Sequence, residues 1–282
     1  MRLAVAVLVA MTGIAAAKPA RWQTVKPPPA MPKADTTGFV AVDGAKIYYA
    51  TYGKGTPVVL LHGGMGNSDH WSYQVPALAE QLQVIVIDSR GQGRSTRTKA
   101  APSYDVMALD VLAVLDQLKI DKAAIVGWSD GGEIALKLGV QHPERITKLF
   151  IFGANYSVEG SKPRRGKSFA TFNTYNAKCR ADYRKLSKTP GQFDAVNKWL
   201  LPVWRNPMGF TKQQLESIKA PTLVADGDHD EIIELAQIEE MAKLIPHAQL
   251  QVFKDTSHFA LWQDPTSFNK VLLDFLAPAQ AK

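Results

Sequence analysis

The sequence has a single cysteine, Cys179, in 282 residues. One thiol cannot form an intrachain disulfide, so the fold must be stabilised by a hydrophobic core and not by covalent cross-links. With 46% hydrophobic residues, a chain of this length can bury such a core in one domain and still carry a small insertion. Cys179 follows the apolar spacing of a predicted helix, which favours a packed small hydrophobe over a second nucleophile.

The sequence also lacks an apolar run of membrane-spanning length. The uncharged run at residues 3–17 has 15 residues, whereas a transmembrane helix needs about 20. This run follows the lone charge of Arg2 and ends in three alanines, as the cleavage sites of signal peptides do. We therefore expect residues 1–17 to be a signal peptide, the mature protein to be periplasmic or secreted, and no stable membrane span to remain after cleavage.

Nucleic-acid-binding motifs and clustered metal ligands are lacking too. Residues 155–219 carry +9, which leaves −2 for the rest of a chain whose net charge is +7. The basic residues of this segment do not alternate with aromatic residues, so the segment does not indicate nucleic-acid binding. It indicates a solvated insertion, which we favour, or the steering of anionic substrates. Asp228, His229 and Asp230 are consecutive and poorly spaced to ligate one ion, so we predict no metal and no cofactor.

Short apolar runs alternate with segments of helical spacing along the rest of the chain. Strands are predicted at residues 57–61, 84–87, 123–126, 149–152, 222–225 and 250–253, and a hairpin at residues 39–51 adds two more. Helices are predicted at residues 75–82, 104–118, 134–141, 234–244 and 265–276. This alternation predicts an α/β fold with a mostly parallel eight-stranded sheet and helices on both faces.

The predicted domain organisation follows from this pattern. A Pro-rich leader at residues 18–38 precedes a core formed by residues 39–154 and 220–282. The connection at residues 155–219 is far longer than a loop in a compact domain usually is. Its aromatic and other apolar residues recur at three- and four-residue steps from Phe169 through Cys179 to Leu186, which predicts a helical lid over the sheet.

The most informative motif is Gly127-Trp128-Ser129-Asp130-Gly131, a G-x-S-x-G sequence between a predicted strand and a predicted helix. A sharp strand-to-helix turn leaves little room for a Cβ at its flanks, and it pushes the central side chain out of the sheet. Ser129 would then lie at the positive end of a helix, beside backbone N–H groups. We predict that Ser129 is a nucleophile.

A serine nucleophile needs a base, and the base needs a carboxylate. Of six histidines, only His258 follows the last predicted strand, where side chains converge at the carboxyl edge of the sheet. The loop after the preceding strand offers two acids, Asp228 and Asp230. We prefer Asp230, because it lies farther along the loop and can reach back under His258, whereas Asp228 can cap the turn.

An oxyanion needs donors as it develops in the transition state. The backbone N–H of Asp130, directly after the nucleophile, is one predicted donor. The glycine-rich loop after the first parallel strand supplies the other, from Gly64 or Met65. We expect His62 to order this loop by hydrogen bonding and to take no part in proton transfer.

These motifs together resemble the α/β-hydrolase superfamily over residues 39–276. The D-x-R-G-x-G-x-S run at residues 88–95 is similar to a structural turn of that superfamily. Gly127-Trp128-Ser129-Asp130-Gly131-Gly132 looks most like the valacyclovir-hydrolase (biphenyl-hydrolase-like) branch, which hydrolyses esters. The resemblance implies that Trp128 and Asp130 contact substrate, with Asp130 holding an amino group. The alternative, which we favour for Asp130, is that it only begins the helix.

The predicted function is hydrolysis of a small-molecule carboxylic ester, lactone or thioester through an acyl-serine. A serine at position 129 argues against haloalkane dehalogenases and epoxide hydrolases, which use an aspartate nucleophile in this fold. Carbon–carbon hydrolases and acyltransferases with the same triad remain open. So does a catalytically weak ligand-binding module with an intact pocket.

Overall fold

The computed structural model describes residues 18–163, 169–205 and 209–277, so the predicted signal peptide lies outside the described residues. Its strands are β1 (Thr36–Val42), β2 (Ala45–Tyr52), β3 (Thr56–Leu61), β4 (Leu82–Ile87), β5 (Ala123–Trp128), β6 (Ile146–Phe152), β7 (Thr222–Gly227) and β8 (Gln249–Phe253). They form one eight-stranded sheet in the order β1-β2-β4-β3-β5-β6-β7-β8. β2 is antiparallel to both of its neighbours, and every pair from β4 to β8 is parallel. The predicted mostly parallel sheet is confirmed.

The helices are α1 (Gln74–Ala79), α2 (Tyr104–Gln117), α3 (Asp130–Gln141), α4 (Ala170–Leu186), α5 (Phe193–Arg205), α6 (Lys212–Glu216), α7 (Leu235–Leu244), α8 (Ala260–Gln263) and α9 (Pro265–Leu276). The chain passes from β3 to β4 in one direction across the sheet and from β5 to β6 in the other. Because crossovers between parallel strands are right-handed, α1 and α3 fall on opposite faces. α9 packs on α1, and α2 packs on α3, so both faces are covered as predicted.

The strand order reverses at β3, which lies between β4 and β5. Open α/β sheets bind ligands in the crevice beyond the carboxyl ends of the strands at such a reversal. The glycine-rich loop that follows β3 and the turn that follows β5 therefore lie side by side, and both belong to the candidate site.

The predicted leader differs from the observed structure at its end. β1 begins at Thr36, so the last three residues of the 18–38 segment belong to the sheet. The earlier part of the segment packs on the core: Arg21 Nη1 donates to Asp264 Oδ2 at 2.7 Å, and Gln263 Nε2 donates to the carbonyl oxygens of Trp22 and Thr24. These contacts are polar and most of them involve backbone carbonyls, so the segment can pack on the core without a periodic pattern of apolar residues.

The long connection between β6 and β7 contains α4, α5 and α6. Thr171, Tyr175, Cys179 and Tyr183 form the buried face of α4, and the last three belong to the predicted apolar spacing. We call residues 155–219 the lid. Within the described ranges, no helix combines the length and the apolar character that a membrane-spanning segment requires.

Candidate active site

Ser129 lies in the tight turn between β5 and α3. Its φ of 54° and ψ of −122° place it in a strained region that non-glycine residues rarely adopt. The turn is held in place by the Ser129 N–H, which donates to Phe152 O at 2.9 Å, and by the Gly132 N–H, which donates to Ser129 O at 2.7 Å. Strain of this kind persists only where the surroundings enforce it, so the sheet and helix fix the serine rigidly.

The glycines around Ser129 are required by close backbone packing. A Cβ on Gly127 would lie 2.2 Å from Gly131 O, and a Cβ on Gly131 would lie 2.2 Å from Leu61 O. Both distances are far inside van der Waals contact. On the facing loop, a Cβ on Gly63 would lie 3.2 Å from Ser129 Cβ. The turn after β5 therefore packs closely against the end of β3.

His258 and Asp230 form a buried pair next to this turn. The His258 Nδ1–H donates to Asp230 Oδ2 at 2.6 Å, and the two side chains are 5% and 1% exposed. Gly153, at the end of β6, has a φ of 58°, and a Cβ there would lie 3.0 Å from the His258 ring. With Nδ1 engaged by a carboxylate, Nε2 is left as the basic nitrogen.

The carboxylate of Asp230 is held by several donors. Its Oδ1 accepts the backbone N–H groups of Ile232 at 2.6 Å and Ile233 at 2.8 Å. Burial raises the pKa of Asp230, but the neighbouring His258 and these hydrogen bonds outweigh it and hold the pKa below its ordinary value. Asp230 is therefore ionised at neutral pH. Asp228, the alternative acid, accepts the Thr256 N–H at 3.3 Å and lies 3.7 Å from Lys254 Nζ.

The loop after β3 contains Gly64 and Met65, one of which is predicted to supply the second oxyanion donor. Met65 has a φ of 61°, and the loop closes with a hydrogen bond from Gly66 N to Gly63 O at 3.0 Å. The lid also supports it, because the Tyr175 hydroxyl donates to Gly64 O at 2.8 Å. Sequence reasoning placed Tyr175 on the apolar face of a helix but gave no signal for this contact.

His62 anchors the same loop to the core. Its Nδ1 donates to Gly63 O at 2.8 Å, and its Nε2 accepts the Ser89 N–H at 3.0 Å. Burial lowers the pKa of His62 to about 4, so the ring is neutral and can fill both roles. It orders the loop, in the manner the sequence indicated.

Trp128 lines the cavity and also supports the base. Its indole N–H donates to His258 O at 3.0 Å, and its ring centroid lies 5.9 Å from that of His258. The residue is 1% exposed. To the predicted contact with substrate, the structure thus adds a positioning contact with the histidine loop.

A cavity of about 510 Å³ opens over these residues. Both sides of the cleft contribute to its wall: the core provides Gly63, Gly64, Met65, Trp128, Ser129, Asp130 and His258, and the lid provides Phe172, Tyr175, Asn176, Leu201 and Trp204. Six of the seven residues predicted for the site line this one cavity. The seventh, Asp230, lies behind His258 and is hydrogen-bonded to it. The volume is typical of a pocket for a small organic molecule.

Asp130 connects the nucleophile turn to the lid. Trp204 Nε1 donates to its two carboxyl oxygens at 3.2 and 3.0 Å. Burial raises the pKa of Asp130, and the Trp204 hydrogen bond and the neighbouring Tyr104 hydroxyl oppose that rise. The pKa of the neighbouring Glu133 is raised well above its usual range, by burial and then by the charge of Asp130. Trp204, Tyr104 and Glu133 were not predicted as site residues.

The Trp204 contact gives a first prediction. Trp204→Phe removes a donor from a buried carboxyl group, so we expect it to lower the free energy of unfolding by about 2 kcal/mol in urea titrations at pH 7. Trp199→Phe is the matched control on the same helix. Its indole N–H donates to Ala100 O at the surface, and we expect its loss to cost less than about 1 kcal/mol. Equal losses in the two variants would show that the Asp130 contact contributes no special stability.

The described residues contain no group of three or more His, Cys, Asp or Glu side chains placed to hold a metal ion. The site itself offers a buried histidine–carboxylate pair beside a strained serine and a loop of backbone donors.

Comparisons with known proteins agree with this fold. A family model described as the alpha/beta hydrolase fold matches residues 56–189 and 160–265. The 2-hydroxymuconate semialdehyde hydrolase of Pseudomonas sp. (strain CF600) is 30% identical over 253 residues, which cover 81% of this chain and 89% of that enzyme.

Solved structures give a similar result. Est816, described as an N-acyl homoserine lactone degrading enzyme, is 34% identical with a TM-score of 0.68, and the match covers 85% of this chain and 100% of that one. An esterase from Exiguobacterium antarcticum is 25% identical with a TM-score of 0.69, over 85% of this chain and 99% of that one.

Proposed function

Because the chain belongs to the α/β-hydrolase fold family and is a hydrolase, we propose that it is a serine hydrolase that cleaves carboxylic esters, lactones or thioesters. One observation carries the proposal: Asp230 and His258 are in 2.6 Å contact in a buried position, and His258 shares a cavity with the strained Ser129. This is the constellation that nucleophilic acyl transfer requires.

In the proposed mechanism, His258 Nε2 takes the proton of the Ser129 hydroxyl as its oxygen attacks the acyl carbon. Asp230 holds the imidazole with Nδ1 protonated and stabilises the imidazolium that forms. His258 then gives the proton to the leaving alkoxide or thiolate, and an acyl-serine remains. Water enters, loses a proton to the same nitrogen and releases the acid, so both half-reactions use one base.

The tetrahedral intermediate carries a negative charge on the former carbonyl oxygen. We assign its stabilisation to the backbone N–H of Asp130, at the N-terminus of α3, and to that of Gly64 or Met65 on the opposing loop. One such donor contributes about 3 kcal/mol to transition-state stabilisation in related chemistry. The hydrogen bond from Tyr175 to Gly64 O supports the alignment of this loop from the lid.

The walls of the cavity favour a substrate of modest size. Aromatic and aliphatic groups from Trp128, Phe172 and Leu201 line it together with the amides of Asn155 and Asn176. Such walls suit a short acyl chain or a lactone ring, which present apolar carbon and a few hydrogen-bond acceptors. The similarity to Est816 supports the inclusion of lactones in this class.

Carbon–carbon bond hydrolysis is the second candidate. The similarity to 2-hydroxymuconate semialdehyde hydrolase favours it, and the same serine, base and oxyanion donors would serve.

A substrate panel on the purified protein tests the proposal. Short-chain p-nitrophenyl esters, their thioester analogues, γ- and δ-lactones and a vinylogous 1,5-diketone would be compared by kcat/KM. We expect turnover of esters or lactones that disappears in Ser129→Ala. Exclusive turnover of the diketone would favour the second candidate, and ester turnover undiminished by Ser129→Ala would overturn both.

A further inference from the structure

Asp226 lies at the end of β7, four residues before Asp230, and its side chain is fully buried. One carboxyl oxygen, Oδ1, accepts the Gly227 N–H at 2.8 Å. The other, Oδ2, is buried and faces no N–H or O–H donor. A buried carboxylate oxygen without a donor is costly, because nothing replaces the water it has lost.

The neighbouring carboxyl group of Asp230 can remove this cost. Asp226 Oδ1 accepts the Gly227 N–H, and the Asp230 N–H donates to Gly227 O at 3.1 Å, so both aspartates are held on the same residue. Their buried carboxyl groups lie close enough to interact by charge and hydrogen bonding. Two buried carboxyls in contact share a proton, since two adjacent negative charges repel each other strongly in a medium of low dielectric constant. If Asp226 is the protonated member, its Oδ2–H gains an acceptor on Asp230, and neither group is left unsatisfied.

The surroundings decide which carboxyl carries the proton. Asp230 receives two backbone N–H groups and the His258 Nδ1–H, and these three donors stabilise the ionised form. Asp226 receives a single backbone N–H. The donors therefore place the charge on Asp230 and the proton on Asp226.

We propose that Asp226 is a positioning residue of the catalytic triad, with a proton on Oδ2 that donates a hydrogen bond to the Asp230 carboxylate throughout the reaction. This inference rests on the proposed serine hydrolase mechanism. Asp226 transfers no proton: it fixes the orientation of Asp230 and withdraws some of its negative charge. Asp230 thus stabilises the His258 imidazolium less strongly than an unsupported carboxylate would.

The electrostatics of the surrounding groups agree with this assignment. Burial, and then the charge of Asp230, raise the pKa of Asp226 well above its ordinary range. The cation facing the pair is Lys162, whose Nζ donates to Asp230 O at 2.6 Å and opposes the rise only weakly. His258 faces Asp230 from the loop after β8. These directions agree with the proton on Asp226 and the charge on Asp230.

Two substitutions of similar shape separate a hydrogen-bond role from a packing role. In Asp226→Asn, the amide N–H₂ donates to Asp230 and the amide oxygen accepts the Gly227 N–H, so we expect kcat/KM within about threefold of wild type and an unchanged pH profile. In Asp226→Leu both hydrogen bonds are lost. We expect kcat/KM to fall about tenfold, because only the hydrogen bond to Asp230 acts on the triad and one buried hydrogen bond is worth about that much.

The sign of the pH shift in Asp226→Leu follows from the charge on Asp230. Without the donor, the full charge of Asp230 stabilises the imidazolium, so the pKa of His258 rises and the acidic limb of the kcat/KM profile moves to higher pH. A merely structural role would lower the rate without moving this limb. Identical pH profiles in the Asn and Leu variants would overturn the proposal.

Infrared spectroscopy measures the proton without any need for turnover. The difference spectrum between wild type and Asp226→Asn, both labelled with [4-¹³C]aspartate, should contain the C=O stretching band of a protonated carboxyl group at pH 7. Absence of that band would overturn the assignment even if Asp226→Asn is active. If the band is present but esters, lactones and diketones are not turned over, the proton on Asp226 stands and the proposed function fails.

Discussion

Asp230→Asn is expected to lower kcat for ester hydrolysis by about 10⁴-fold, the size of the effect of the equivalent change in a serine protease triad. The reason is the contact between Asp230 Oδ2 and His258 Nδ1. An amide N–H₂ at this position donates to Nδ1, so Nε2 becomes protonated and can no longer accept the proton of Ser129. Steady-state kinetics with a p-nitrophenyl ester would measure the loss.

Asp228→Asn is the matched control, because it makes the same change two residues away in the same loop. Asp228 is engaged with the Thr256 N–H and lies near Lys254. We expect its kcat to stay within about threefold of wild type, since the loss is that of surface polar contacts. A reversed order, with Asp228→Asn inactive and Asp230→Asn active, would assign the acid to the other residue.

His258→Ala is expected to lower kcat by about 10⁶-fold, because loss of the base in a comparable triad disables the nucleophile as well. His229→Ala is its control. His229 is close in space to the same loop, but it stacks on Trp22 with a centroid distance of 4.6 Å and is partly exposed. Kinetics at high enzyme concentration should show His229→Ala near wild-type activity. An active His258→Ala variant would remove the histidine from the mechanism.

The fold could be predicted from the sequence because its central strands are buried on both faces. β5 and β7 are buried at every residue. Each contains a short apolar run, at residues 123–126 and 222–225, that is hard to confuse with a solvated loop. Boundaries were less accurate where local propensity is weak. α3 begins at Asp130, four residues before the predicted start. The prediction missed this first turn because Gly131 and Gly132 have low helix propensity. Both glycines are present because the close packing of the turn leaves no room for a Cβ.

The candidate site could be predicted where one short segment fixes the geometry. The G-x-S-x-G turn specifies its own backbone, since the glycines at positions 127 and 131 have no room for a Cβ. The order of strands then brings the loops of Asp230 and His258 to the same edge of the sheet. The choice between Asp228 and Asp230 depends on side-chain reach, so the sequence favoured one without excluding the other.

The contacts made by the lid could not be predicted in this way. Tyr175 lies 111 residues from Gly64, and Trp204 lies 74 residues from Asp130, yet each pair is joined by a hydrogen bond. The spacing of apolar residues indicates that α4 packs on something, but it does not indicate which polar atom a tyrosine hydroxyl or an indole N–H will meet. The role of Asp226 could not be predicted for the same reason, because the sequence around it does not show that its neighbour in space is another carboxyl group.

These lid contacts also bear on the role of Asp130. With its carboxyl group bonded to Trp204 and close to Tyr104, Asp130 has partners within the protein. It would have to exchange the indole N–H for an ammonium group to bind an amino-acid ester. This agrees with the interpretation that Asp130 serves the structure of the turn and supplies its backbone N–H to the oxyanion.

Covalent labelling with a fluorophosphonate tests most directly whether Ser129 is a nucleophile activated by His258. The reagent would be added in excess at neutral pH, the intact protein weighed by mass spectrometry, and the modified peptide sequenced. We predict one adduct per chain on Ser129, none in Ser129→Ala, and a labelling rate that falls by orders of magnitude in His258→Ala. An adduct on another residue, or equal labelling of wild type and Ser129→Ala, would contradict the account.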